Sequence, residues 1–230
     1  MSLKLKALGL GLLAMIAVGA FAVMNATAET GGHFVSEVAH TEIIGVEDTG
    51  AGSTDRFEFT SHGLEGGIVC DEVSYKGTAN AATVTEITVT PEYKKCHTTA
   101  EAAGTTTVHV NGCGFIFTVG KTPKEEPEGT VHVECPPEKR IEITHPNCTI
   151  TISPTNNQNL KGFTYKTITT NNKHAITIDA PKPGIQLQTT YHAGICVLTG
   201  TTHTATMEGG ATVRGTNTEG TAVGITATGP

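Results

Sequence analysis

The sequence predicts an all-β protein, an antiparallel β-sandwich or two small sandwich-like units stapled by disulfides, and three observations predict it. Apolar and polar residues alternate along many short runs, residues 83–90 among them, with the period of two that marks a half-buried strand. Turn residues punctuate those runs, and nowhere do strand-like and helix-like stretches alternate as a parallel α/β sheet requires. Six cysteines, an even number, all follow a leader-like N-terminus. Composition agrees: charged residues are 16% of the chain and β-branched threonine is abundant, which favours sheet over helix or disorder.

Residues 1–28 have the layout of a secretory signal peptide: Lys4 and Lys6, an apolar run over 7–24, and the small-residue site Ala26, Thr27, Ala28. Cleavage is expected after Ala28, which leaves a soluble mature chain outside the cytoplasm. No cysteine lies near that site, so a lipid anchor is not expected, and residues 222–230 carry no apolar tail or basic stop signal. Loss of Lys4 and Lys6 with the leader takes the formal charge from −7 to −9. An acidic surface argues against nucleic acid and against anionic membranes as partners.

Along the mature chain, residues 34–46 give one or two strands, and a Gly/Ser/Thr/Asp loop follows over 47–55. Strands are then expected at 56–60, 68–75 and 83–90, with Pro91 ending the last. Residues 97–104 are the one stretch that favours a helical turn. A hairpin occupies 105–134, strands follow at 141–143 and 148–152, and polar residues 153–159 lead into the last third. There the alternation predicts strands at 162–165, 175–178, 185–189, 195–206, 211–214 and 223–226. The boundary between an N-terminal unit, 29–120, and a C-terminal unit, 121–230, falls in the proline- and glutamate-rich turn of the hairpin, although the two could pack as one domain.

That hairpin fixes a register. Folding the chain about Lys124 sets Phe117 opposite Val131, Phe115 opposite Val133 and Cys113 opposite Cys135, all of one parity and so on one face. A Cys113–Cys135 disulfide then closes the open end. Cys70 and Cys96 bracket two strand-like runs and make a second pair, and Cys148 with Cys196 is what remains.

The landmarks Cys70 to Thr78, Ile87 to Cys96, Val110 to Phe115, Val133 to Pro137 and Cys148 to Ile152 resemble a group of small exported, cysteine-containing β-rich proteins of soil actinobacteria. The resemblance covers most of the mature chain. It implies export and β structure and carries no activity.

The catalytic strings are thin. Asp48-Thr49-Gly50 matches the triplet that presents one carboxylate of an aspartic-protease pair, but Glu47 stands where an apolar residue belongs and no second triplet follows. A solvent turn in which Asp48 bonds its own backbone is the commoner reading. Ten histidines invite a metal, yet His109 and His132 point away from the hairpin's apolar face, His145 and His192 are isolated, and no helical His pair or Cys-x-x-Cys is present. Ser61 and His62 are adjacent, which is no geometry for a base and its nucleophile, and no Gly-x-Ser-x-Gly or phosphate loop occurs. With no Trp and four Tyr, aromatic platforms for sugars are scarce.

The expectation is therefore a secreted or envelope-associated structural or interaction protein with no enzymatic activity, no cofactor and no metal. Its partners would be cell-surface or wall components, or other copies joined through β-edges. The alternatives are an extracellular module binding a small ligand in a concave apolar pocket, and an aspartic-type hydrolase using Asp48.

Overall fold

The computed structural model describes residues 31–47, 58–61, 67–99, 105–121, 125–145, 148–152, 160–180, 185–192 and 200–230, without the side chains of residues 61, 148, 160, 185–192 and 200–204. The described strands are β1 (His33–Ser36), β2 (Thr41–Glu47), β3 (Glu58–Ser61), β4 (Gly67–Ala79), β5 (Thr83–Val84), β6 (Glu86–Thr98), β7 (Thr105–His109), β8 (Gly114–Val119) and β9 (Glu128–Glu134). They continue as β10 (Ile141–His145), β11 (Cys148–Ile152), β12 (Leu160–Thr170), β13 (Lys173–Asp179), β14 (Ile185–His192), β15 (Gly200–Glu208), β16 (Gly210–Thr216), β17 (Ala222–Val223) and β18 (Ile225–Thr228).

Eight of these close into an antiparallel barrel. In chain order β2, β4, β6, β8, β9, β12, β13 and β16 each pair with the next, and β16 pairs back onto β2, Val213 opposite Gly45. The remaining long strands trace a second circuit by the same rule. β3, β4, β6, β7, β10, β11, β14 and β15 pair in order, and β15 returns to β3. Both circuits share β4 and β6, which at 13 residues each run through both. The others break between the two levels, so the chain makes eight long staves, most of them in an upper and a lower segment.

This corrects the sandwich expected from the sequence. A sandwich needs two sheets stacked face to face. Here a single meander curls until its first and last strands meet, and its inner face packs on itself. β8 and β9, on either side of residues 120 and 121, pair with Phe115 opposite Val133 and Phe117 opposite Val131.

Two local expectations also change. Residues 97 and 98, the start of the stretch expected to make a helical turn, belong to β6, and residues 100–104 lie outside the described residues. Pro91 does not end its strand. β8 pairs with β6 only as far as Val89 and β7 begins at Cys96, so between them β6 is bonded on the β4 side alone. A missing N–H on that open side costs no ladder bond.

The waist between the levels is built into β4 and β6. Asp71 and Glu72 are both exposed, as are Lys94 and Lys95, so alternation slips on both strands at once while pairing stays in register. Lys95 absorbs the kink with a left-handed backbone, φ 54°. Its ammonium donates to Glu72 across the wrinkle. Disulfides Cys70–Cys96 and Cys113–Cys135 lie at or beside this waist. Cys196 and the side chain of Cys148 are outside the described residues.

The upper mouth carries a cap. β1 pairs with β18 on one side and β5 on the other, a three-stranded sheet joining the two ends of the described chain. From it Phe34, 2% exposed, enters the barrel and meets Tyr165 edge-to-face at 5.4 Å. Burying a ring of this size contributes roughly 2–3 kcal/mol, and Lys173 adds an exposed ion pair to Glu37 at 2.6 Å.

Candidate functional site

The inner face of the upper barrel is the candidate site. β2 turns Thr41, Ile43, Gly45 and Glu47 inward by simple alternation, and its outer residues Glu42, Ile44 and Val46 are exposed. Glycine at 45 suits its cross-strand partner: Tyr75 lies directly opposite, and a Cβ on Gly45 would come within 3.1 Å of the tyrosine's own Cβ, a tight contact that one of the two strands would have to relieve. Small residues facing large ones are how a narrow barrel fills its taper. β8 contributes Phe115 and Phe117, and Phe117 meets Phe163 of β12 edge-to-face at 5.7 Å.

These side chains do not fill the barrel. An unfilled space of about 60 Å³ remains, walled by aromatic rings from Phe34, Tyr75, Tyr93, Phe115, Phe117 and Phe163 and by aliphatic residues of β2, β6, β9, β13 and β16. Tyr75, Tyr93 and Phe117 face inward and yet are only half-buried. At the waist the wall is Met207, Glu208, Gly209 and Gly210, where β15 passes into β16. Among the described residues no lysine, arginine or histidine lines the space.

Polar features gather near the waist. Glu47, 7% exposed, is the one charged side chain among the buried described residues; it stands outside the wall of this space and lines a separate depression with Asp71, Glu72, Ser74, Glu92 and Lys94. Burial pushes the Tyr75 phenol well above its ordinary pKa, and the negative charge of Glu47 pushes it further. Tyr93 is raised by burial first, then by Tyr75 and by Glu47. Both therefore stay neutral hydrogen-bonding phenols across the physiological range. Deeper in, Tyr165 donates its hydroxyl to the Thr118 carbonyl at 3.1 Å.

The outside is the reverse of the inside. Glu42, Lys76, Glu86, Glu92 and Lys94 all point to solvent, whereas a barrel crossing a membrane turns an apolar band outward.

Residues singled out in the sequence fall elsewhere. Asp48 and its triplet lie outside the described residues. His109 is exposed on β7 and His132 half-buried on β9, on the outer surface with no carboxylate or thiolate cluster; no group of three potential metal ligands occurs among the described residues. Sequence reasoning missed the cavity and Glu47. Parity alone assigns Ile43, Gly45 and Glu47 to one face, but the interior exists only once β16 returns to β2. No protein-family model, curated protein or solved structure matches the chain.

Proposed function

We propose that this is an exported binding protein, not an enzyme, and that its barrel holds a small, largely apolar molecule in the upper interior. The observation that carries this is the unfilled, aromatic-walled space inside a closed barrel. Eight strands leave an interior just wide enough for side chains or for one small ligand. Walls of aryl, alkyl and thioether groups with two convergent phenols have the composition of small-molecule pockets. Export is supported by the layout of residues 1–28 and by two disulfides, which suit an oxidising compartment.

Partnering through free β-edges has less to work with than a sandwich would offer. Every strand of the barrel is paired on both sides along part or all of its length, and β5, β17 and β18 each pair on one side only. A ligand burying roughly 200 Å² of apolar surface gains about 5 kcal/mol before association costs, so weak binding, with dissociation constants of about a millimolar or above, is expected.

The test is titration with an environment-sensitive apolar fluorophore, in the wild type and in Ile178→Trp. Ile178 lines the space and stands opposite Tyr165 and Ala211. Saturable binding that the tryptophan abolishes, with an unchanged or higher thermal midpoint, is the expected result. Binding that survives a filled cavity places the ligand elsewhere and ends this reading.

A further inference from the structure

We infer that the barrel takes a linear alkyl chain in preference to a compact guest, and that Met207 is the gate that sets how long the chain can be. The inference rests on the proposed binding role and adds the shape of the ligand. It comes from a second interior space.

Below the aromatic-walled space lies a smaller one of about 10 Å³, bounded by Val108, Val133, Ile141, Ile143 and Ile152 where the lower level begins. Tyr93, Phe115 and Met207 line both spaces, so a single layer of side chains at the waist divides them. The lower space has about the volume of one water molecule's centre and offers it no polar surface, so it stays dry and binds nothing by itself. Joined to the upper space it lengthens the site without widening it.

One member of the dividing layer moves cheaply. Tyr93 and Phe115 are rigid rings, and Phe115 is 5% exposed. Met207 is unbranched, flexible and only partly buried, and a thioether adapts to whatever it packs against. The next inward position on its own chain is Gly209, φ 149°, which has no side chain to hold the thioether in place. With Met207 closed, the upper space of about 60 Å³ has room for roughly two or three carbon atoms. With the thioether turned aside, a chain continues past the waist between Val108, Ile143 and Ile152. A branched guest cannot pass an opening one side chain wide, and a linear chain can.

Met207 also supplies the reporter. Met1, Met15 and Met24 lie within residues 1–28, so Met207 is the single methionine of the mature chain, and a ¹³C-methyl label on methionine gives one signal. The mature protein is titrated by NMR with straight-chain alcohols from 1-propanol to 1-hexanol, and with tert-butanol, the compact isomer of 1-butanol. Affinity should rise about fourfold with each added methylene through the whole series, the longer members should shift the Met207 methyl signal, and tert-butanol should bind more weakly than 1-butanol. Met207→Ile, stiff at its branched β-carbon, should bind 1-propanol unchanged and end the rise at 1-butanol. Met207→Ala, which removes the gate, should bind 1-hexanol severalfold tighter than the wild type does. Circular dichroism checks that both variants fold, and the alanine carries the test if the isoleucine does not fold. A wild-type rise that ends at 1-butanol overturns the gate and leaves the cavity reading standing. A rise that runs on unchanged in Met207→Ile overturns it too, as does an alanine variant that gains nothing for 1-hexanol. Binding of tert-butanol as tight as that of 1-butanol overturns the linear shape. If no alcohol binds, both readings fall together.

Discussion

Tyr165 and Gly129 show how single residues fix the upper barrel. Tyr165 is fully buried, its ring meets Phe34 of the cap, and its hydroxyl is spent on the Thr118 carbonyl. Gly129, on the neighbouring strand, is what lets that ring lie flat against the wall: a Cβ there would overlap both the Thr118 oxygen and the tyrosine ring. The two substitutions therefore differ in kind. Tyr165→Phe removes one hydrogen bond and should cost about 1 kcal/mol. Gly129→Ala forces strand or ring to move and should cost about 3 kcal/mol. Urea unfolding of the two variants measures the order, and an alanine cheaper than the phenylalanine would mean that the ring has room to shift.

At the level of elements, the β8–β9 hairpin and its disulfide were legible in the sequence, because their evidence is local. Parity about a polar turn sets Phe115 against Val133, and the structure has that pair in register with Cys113 joined to Cys135 a step further along. β4 and β6 were only half legible. Pro91 read as a stop, and nothing local shows that β8 and β7 leave the proline's side of β6 open. The paired slip at Asp71–Glu72 and Lys94–Lys95 is visible as doubled polar residues, but it reads as two strand ends until the strands are seen side by side. Barrel against sandwich was not legible at all: alternation says which face is buried and is silent on whether that face meets another sheet or itself. The answer lies in Val213 opposite Gly45, two residues far apart in the chain. The hairpin disulfide gives an element-scale prediction. It spans 22 residues, and opening it with Cys113→Ala and Cys135→Ala together should cost about 3 kcal/mol, chiefly by freeing the unfolded chain. Guanidinium unfolding should show a lower midpoint with β content retained in native buffer; loss of the fold would show that the bridge holds the waist rather than merely limiting the unfolded state.

For the molecule as a whole, the barrel interior ties stability to alkaline pH. Three of the four tyrosines, Tyr75, Tyr93 and Tyr165, have phenols raised above their ordinary range, each mainly by burial among apolar groups. In the unfolded chain they ionise near pH 10. Below that pH both states hold their phenolic protons and the tyrosines make stability neither rise nor fall. Above it the unfolded state releases protons that the folded state keeps, so unfolding is favoured, and each group withdraws up to about 1.4 kcal/mol per pH unit until its own folded pKa is reached. With no tryptophan in the chain, phenolate absorbance and far-ultraviolet dichroism can be followed on one sample without interference. The expected record is a cooperative phenolate rise that coincides with loss of β structure, and its midpoint should move to higher pH when a saturating cavity ligand is present, because ligand bound only to the folded barrel adds to the proton release needed to open it. All four tyrosines titrating near pH 10 with the barrel intact would show that water reaches the interior freely, which would also remove the dry, low-dielectric space on which ligand binding depends.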